Sequence, residues 1–231
     1  MKQLPLPIAA PAAAGFQSFV PWPDASVVQH LQQLGPQSTP AYLWGPAGSG
    51  KTHLLRALAA LRQAAGEQVA WFDADTPLPW TLEPGHGLLL IDGCEQLDEA
   101  QQRSAFALLV EAQGQGVPWV AAGRLPPVDL PLREDLRTRL GWGPVFALHN
   151  LPEEQARGVL RRESDRRGIM LSDEVMGYLL TRFERDLGHL MALLDRLDEF
   201  ALAEHRAVTV PLLKKMLAEA GPAQPSGEGP A

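Results

Sequence analysis

Ala41-Tyr42-Leu43-Trp44, followed directly by Gly45-Pro46-Ala47-Gly48-Ser49-Gly50-Lys51-Thr52, is the stretch that decides the fold of this chain. The four leading residues predict a short buried strand. The rest matches the spacing G-x-x-x-x-G-K-[ST]. Glycine lets the backbone curl so that successive N–H groups point at phosphate oxygens. Lys51 can then reach the terminal phosphates of a nucleotide, and the Thr52 hydroxyl can ligate Mg²⁺. The helix that follows adds the positive end of its dipole. That helix is predicted from residue 51 to about 65, with Leu54, Leu55, Leu58 and Leu61 on one face. A glycine-rich surface turn is the competing reading, and the strand before and helix after weigh against it.

Outward from the loop, strands and helices alternate. Val69-Ala70-Trp71-Phe72 predicts a second strand. Leu88-Leu89-Leu90-Ile91 predicts a third, continuously apolar as a strand covered on both faces should be. Residues 98 to about 112 predict a helix with Phe106, Leu109 and Val110 inward. Trp119-Val120-Ala121-Ala122 and Val145-Phe146-Ala147-Leu148 complete five strands. The fold class is therefore α/β: a five-stranded parallel sheet with helices on both faces. After Asn150 the pattern turns all-helical, with helices over 153–167, 172–183, 186–205 and 209–220. The third carries Leu187, Leu190, Leu194 and Leu197 at helical spacing. The domain reading is an extended tail over 1–15, an α/β domain over 16–150, a helical domain over 151–220 and a disordered Pro/Gly/Ser-rich tail over 221–231.

Asp92 ends the third strand, at the edge of the sheet where ligands of such folds bind. It can hold Mg²⁺ through water; an aspartate that merely ends a strand or caps a helix is the other reading. The next residue is Gly93, where many ATPases of this kind place a second carboxylate to orient the attacking water. Glu95 stands two positions further on. The groups for metal and nucleotide are thus present, and self-hydrolysis is expected to be weak or absent.

The totals exclude other classes. Apolar residues are 45% and charged residues 20% of 231, a soluble globular composition. A net charge of -7 makes the chain a poor candidate for gripping DNA by neutralising its phosphates, with a local basic patch still open. The lone cysteine, Cys94, cannot form an internal disulfide and reads as a packing residue, which suits a reducing cytoplasm. Apolar runs are strand-sized, so no membrane span and no signal peptide is expected. Trp44, Trp71 and Trp119 read as core. Arg157, Arg161, Arg162, Arg166 and Arg167 read as a solvated helix face.

Together these features resemble the DnaA-type AAA+ ATPases, and the likeness covers nearly the whole chain. Phe16-Gln17-Ser18-Phe19-Val20 is similar to the family's aromatic segment before its first helix. Gly123-Arg124-Leu125-Pro126-Pro127 resembles its strand-end turn with paired prolines. Asp135-Leu136-Arg137-Thr138-Arg139-Leu140-Gly141-Trp142-Gly143 resembles the arginine-finger segment. Gln3-Leu4-Pro5-Leu6-Pro7 resembles the Q-L-x-L-P motif by which regulators in this family bind the DNA polymerase sliding clamp, the beta subunit of polymerase III. The initiator itself carries a DNA-binding domain after its AAA+ module, whereas here only residues 221–231 follow the helical domain. The likeness is thus to the regulators that inactivate the DnaA initiator.

The resemblance implies an AAA+ P-loop module followed by a helical lid domain. It implies a nucleotide held by Gly45, Pro46, Ala47, Gly48, Ser49, Gly50, Lys51, Thr52 and Asp92, with Mg²⁺ at Thr52 and Asp92. It implies a clamp contact through Gln3, Leu4, Leu6 and Pro7, and DNA met only through the clamp. Arg139 would act in trans as an arginine finger on ATP bound to DnaA. On the residues alone, Arg139 reads equally as a solvated cation on a charged helix, beside Arg133, Glu134, Asp135 and Arg137. The family's lid segment, R-x-x-R-x-L, is here Arg185-Asp186-Leu187-Gly188-His189-Leu190, with Gly188 in the second arginine slot. Arg124 stands where an acidic residue is usual. With Gly93, these departures imply a nucleotide that is held rather than turned over, ADP in preference to ATP. Three functions stay open: an activator of DnaA-bound ATP hydrolysis, a non-catalytic adaptor of the same fold, and an independent P-loop ATPase or kinase. A homo-oligomer is compatible with each.

Overall fold

The computed structural model describes residues 15–21, 25–36, 38–182, 187–204 and 206–219. The segment with Gln3, Leu4, Leu6 and Pro7, the tail over 221–231, and Arg185 lie outside the described residues. The chain divides into two compact units, Met1–Asn150 and Leu151–Ala231.

The first unit is built on five parallel strands: β1 (Ala41–Trp44), β2 (Gln68–Phe72), β3 (His86–Ile91), β4 (Trp119–Gly123) and β5 (Val145–Ala147). Their order across the sheet is β2-β3-β4-β1-β5. Side chains of a strand alternate between faces. Ala41, Leu43, Leu88, Leu90, Val120 and Ala122 accordingly build one core with α1 (Ser26–Gln33) and α2 (Lys51–Ala64). Tyr42, Leu89, Ile91, Trp119 and Ala121 build the other with α3 (Glu99–Gln115) and α4 (Glu134–Leu140). Both faces are covered, which is why β3 reads as an unbroken apolar run.

Helix α3 starts where its chemistry directs. The Gln101 amide donates to Asp98 Oδ1 at 2.8 Å, and the Asp98 amide donates back to Gln101 Oε1 at 3.0 Å. This reciprocal pair satisfies two helix-end donors. Gly116, at φ 70°, closes the other end.

Two inward assignments are corrected. Leu61 is 44% exposed although Leu54 and Leu58 on the same stripe are buried. The periodicity holds, but in the last turn the covered position is Arg62, 13% exposed and donating to the Leu34 carbonyl. Val110 is also 44% exposed. At roughly 100° per residue it stands about 140° around α3 from Ala105. The inward face is instead Ala105, Leu108, Leu109 and Ala112.

Gly143 shows how tightly β5 seats on β1. The Tyr42 amide donates to the Pro144 carbonyl at 3.0 Å. A Cβ at Gly143 would fall 1.7 Å from the Pro40 carbonyl oxygen. The atoms it would meet first are Pro40 backbone, which has no flexible end to give way, so the strand start must shift. Gly143→Ala should cost about 3 kcal/mol and lower the melting temperature by roughly 6–12 °C in thermal unfolding.

The second unit packs α5 (Glu153–Arg167), α6 (Asp173–Arg182), α7 (Leu187–Glu204) and α8 (Val210–Glu219) around Leu160, Val175, Met176, Leu179, Leu190, Leu194, Leu197 and Leu213. Leu193 is buried as well, while Leu187 is only half-buried. Helix α5 has Glu153 and Glu154 in its first turn and Arg166 and Arg167 in its last, matching its dipole. Its arginines pair within the unit: Arg157 with Glu153, Arg161 with Asp173, Arg166 with Glu163, and Arg167 with Glu163 and Asp195. Arg161 and Arg166 are exposed, as a solvated face requires, but Arg167 is largely covered, its side chain 16% exposed. No helix among the described residues is long and apolar enough to cross a membrane.

Candidate functional site

The loop between β1 and α2 lies at the carboxyl end of β1, between β4 and β5. Gly45, Gly48 and Gly50 take φ of 155°, 76° and 94°. These are conformations that a side chain resists. Close packing adds a second reason at both ends of the loop. A Cβ on Gly45 would lie 2.2 Å from the Leu148 carbonyl oxygen, and one on Gly50 would lie 2.7 Å from Phe19 Cε2. The loop is thereby closely packed against Leu148, just past β5, on one side and the Phe19 ring on the other.

Lys51 curls over this loop. Its Nζ donates to the Gly45 carbonyl at 2.7 Å, the Pro46 carbonyl at 2.8 Å and Ser49 Oγ at 3.4 Å. The cation is held in place at the N-terminus of α2. Thr52 Oγ1 donates to Asp92 Oδ2 at 2.6 Å. The structure thus brings together a hydroxyl and a carboxylate from residues 40 positions apart. Hard oxygen donors of this kind suit Mg²⁺, which takes few protein ligands and keeps its water. Among the described residues no cluster of three or more His, Cys, Asp or Glu forms a metal cage.

Asp92 is followed by a turn rather than by a second acid. Gly93 has φ 65°, and residues Cys94–Gln96 form a single 3₁₀ turn. A glutamate at residue 93 would have to adopt a left-handed backbone. Glu95 lies in that turn, and one oxygen of its carboxylate accepts the Arg124 amide at 3.0 Å. Cys94 is buried, and burial pushes its thiol pKa up.

Sequence reading missed His53 and undervalued Phe19. The Phe19 ring stacks on His53 with centroids 6.1 Å apart. His53 Nε2 also lies 3.2 Å from the Gly15 carbonyl. Burial lowers the His53 pKa, with the Arg56 charge acting the same way against the Gly15 bond. Aromatics spaced before the first helix were the available signal. That they fold back onto Gly50 is a tertiary fact.

Arg139 requires a correction. It is not a solvated cation on a charged helix: it is 8% exposed. Helix α4 packs its Leu136 and Leu140 into the α3 side of the sheet, and Arg139, next to both, is carried into that contact. Its Nη2 donates to the Leu109 carbonyl of α3 at 3.3 Å, and its Nε has no acceptor. Its guanidinium carbon lies 3.9 Å from the centre of the Trp142 ring. Burial lowers its pKa from the usual guanidinium value. Beside it opens a groove of about 710 Å³, lined by Phe106, Arg133, Glu134, Asp135, Thr138, Arg139 and Trp142. No residue of the loop from Gly45 to Thr52 lines that groove.

The sheet order, the glycine loop after β1 and the acid after β3 define a P-loop protein of the AAA+ class. Residues 153–217 match the family described as Hda, lid domain. An uncharacterized protein of Haemophilus influenzae is 30% identical over 233 residues, spanning 94% of this chain and 98% of that one. Among solved structures, domain III of the Thermotoga maritima replication initiation protein DnaA superposes with a TM-score of 0.73 at 18% identity, covering 90% of this chain and 97% of that one. AMPPCP-bound DnaA from Aquifex aeolicus follows at 0.64 and 18%, covering 80% of this chain and 65% of that one. The Thermotoga maritima RuvB Holliday junction branch migration motor scores 0.63 at 16%, covering 89% and 72%. The chain belongs to one family with this Haemophilus influenzae protein along nearly its whole length; its helical unit carries the Hda lid match, and its fold is that of the DnaA-type AAA+ proteins.

Proposed function

We propose that this protein regulates replication initiation by promoting hydrolysis of ATP bound to the DnaA initiator. The observation that carries this reading is the match of residues 153–217 to the Hda lid domain, in a chain whose other unit has a DnaA-like fold. In this reading the loop from Gly45 to Thr52 holds an adenine nucleotide, ADP by preference, with its phosphates at the α2 N-terminus and at Lys51. Thr52 and Asp92 hold Mg²⁺, which supplies positive charge to the phosphate oxygens. The nucleotide organises the protein and is not itself consumed, in keeping with Gly93 and the engaged Glu95.

Arg139 acts on the nucleotide of the partner. A planar, permanently charged donor stabilises charge that develops on the transferred phosphoryl group. Its groove excludes the chain's own loop, which supports action in trans. Gln3, Leu4, Leu6 and Pro7 tether the protein to the sliding clamp, so that it meets DNA only through the clamp. Prolines hold such a peptide extended and reduce its ordering cost.

The test is single-turnover hydrolysis of ATP prebound to DnaA. Added protein, with DNA-loaded clamp, should accelerate it well above the rate of either protein alone. One observation favours a second reading, a non-catalytic adaptor: the Arg139 guanidinium is buried against Leu109 and Trp142. Clamp and DnaA binding with no acceleration would select the adaptor.

A further inference from the structure

Arg139 is a cation in an unusual setting, and the setting points to a second residue. Its side chain is more than nine-tenths buried, yet one long hydrogen bond to the Leu109 carbonyl is the only one it makes among the described residues. Its Nε is buried with no acceptor. No carboxylate among the described residues forms an ion pair with it; of the two acids in its groove, Asp135 is paired with Arg133 at 2.7 Å. A guanidinium offers five N–H donors in one plane. Buried charge with so few partners is costly unless something else holds it. What holds it is the face of Trp142, 3.9 Å away.

Trp142 is itself 59% exposed, far more than a packing residue needs to be. It is tied locally, its amide donating to the Arg139 carbonyl at 3.2 Å. It therefore forms one wall of the groove and covers one face of the guanidinium. Anions bind a guanidinium along its edge, in the plane of its N–H bonds, and the ring closes one face to any other approach. The ring thus selects the direction from which a phosphoryl group reaches Arg139.

We infer that Trp142 is the positioning residue for Arg139: by stacking on the guanidinium it sets the plane in which Arg139 meets the phosphoryl group of the partner's nucleotide. This rests on the trans-acting reading of Arg139. It requires a π face at residue 142, not merely bulk.

The experiment has two arms. The first needs no partner. Steady-state tryptophan emission is compared between the parent and Arg139→Ala, and between Trp142→Phe and the double variant Trp142→Phe/Arg139→Ala. A change on removing Arg139 in the first pair, absent from the second, is expected. An equal or absent change in both pairs overturns the stack. The second arm is the single-turnover assay with ATP-loaded DnaA, clamp and DNA, with melting temperatures checking the fold. Trp142→Ala should lower the maximal stimulated rate at least tenfold, with the half-saturating concentration of protein unchanged. Trp142→Phe should restore most of the rate, and Trp142→Leu should not. Full activity of Trp142→Ala, or equal rescue by Leu, overturns the positioning role while Arg139 stays in place. If Arg139→Ala also stimulates fully, the finger reading fails instead, and the emission arm still reports whether the stack exists.

Discussion

Replacing Arg139 by alanine should abolish stimulated hydrolysis of DnaA-bound ATP while leaving the protein folded. An arginine supplied in trans to a phosphoryl group is worth about 10³–10⁵ in rate, so the loss should be at least about 10³-fold. The variant is a clean one for physical reasons. Arg139 makes one long bond to the Leu109 carbonyl, and Nε is already without an acceptor. Truncation therefore orphans little. It removes a buried cation whose desolvation opposes folding, and what it loses is chiefly the contact with the Trp142 ring. Melting temperature and ADP binding should stay near the parent values. Single-turnover rates with prebound ATP give the measurement, and a variant that stimulates as well as the parent ends the finger assignment.

Lys51→Ala should weaken ADP and ATP binding by on the order of 10²–10³-fold, read by titration calorimetry. Nζ sits at the N-terminus of α2, within reach of three loop oxygens. Its charge lies where phosphates would meet the helix dipole. Removing one partner of a close charge pair costs roughly 2–5 kcal/mol. The fold should be far less affected, because the carbonyls of Gly45 and Pro46 at a partly exposed loop can turn to water. Because the loop is proposed to organise the protein, Lys51→Ala should also depress stimulation of DnaA without touching Arg139. Unchanged ADP affinity would show that the nucleotide lies elsewhere.

Much of the fold was legible because its signals are local. Five apolar segments became five strands, since β3 and its neighbours are covered on both faces and leave no polar alternation to confuse the reading. Helix α5 was readable to the residue, its acidic start, basic end and Gly168 all being helix-end chemistry. Helix faces were less legible. Leu61 and Val110 are apolar residues on amphipathic helices, and sequence alone does not say where the cover ends.

The candidate site divides along the same line. By itself the sequence determined the loop proposed to hold phosphates, because its glycines, lysine and hydroxyl follow one another along the chain, and three of those glycines take positive φ. It determined the missing second acid, since Gly93 is a fact of composition. Only the tertiary structure decided that Thr52 meets Asp92, that Phe19 folds back against Gly50, and that Arg139 lies buried under Trp142 rather than out in solvent. Each of those depends on which element packs against which, and α4 carries Arg139 inward because Leu136 and Leu140 on either side of it bury against the sheet. Burial is a property of neighbours brought together from afar, and a charged stretch read along the chain does not contain them.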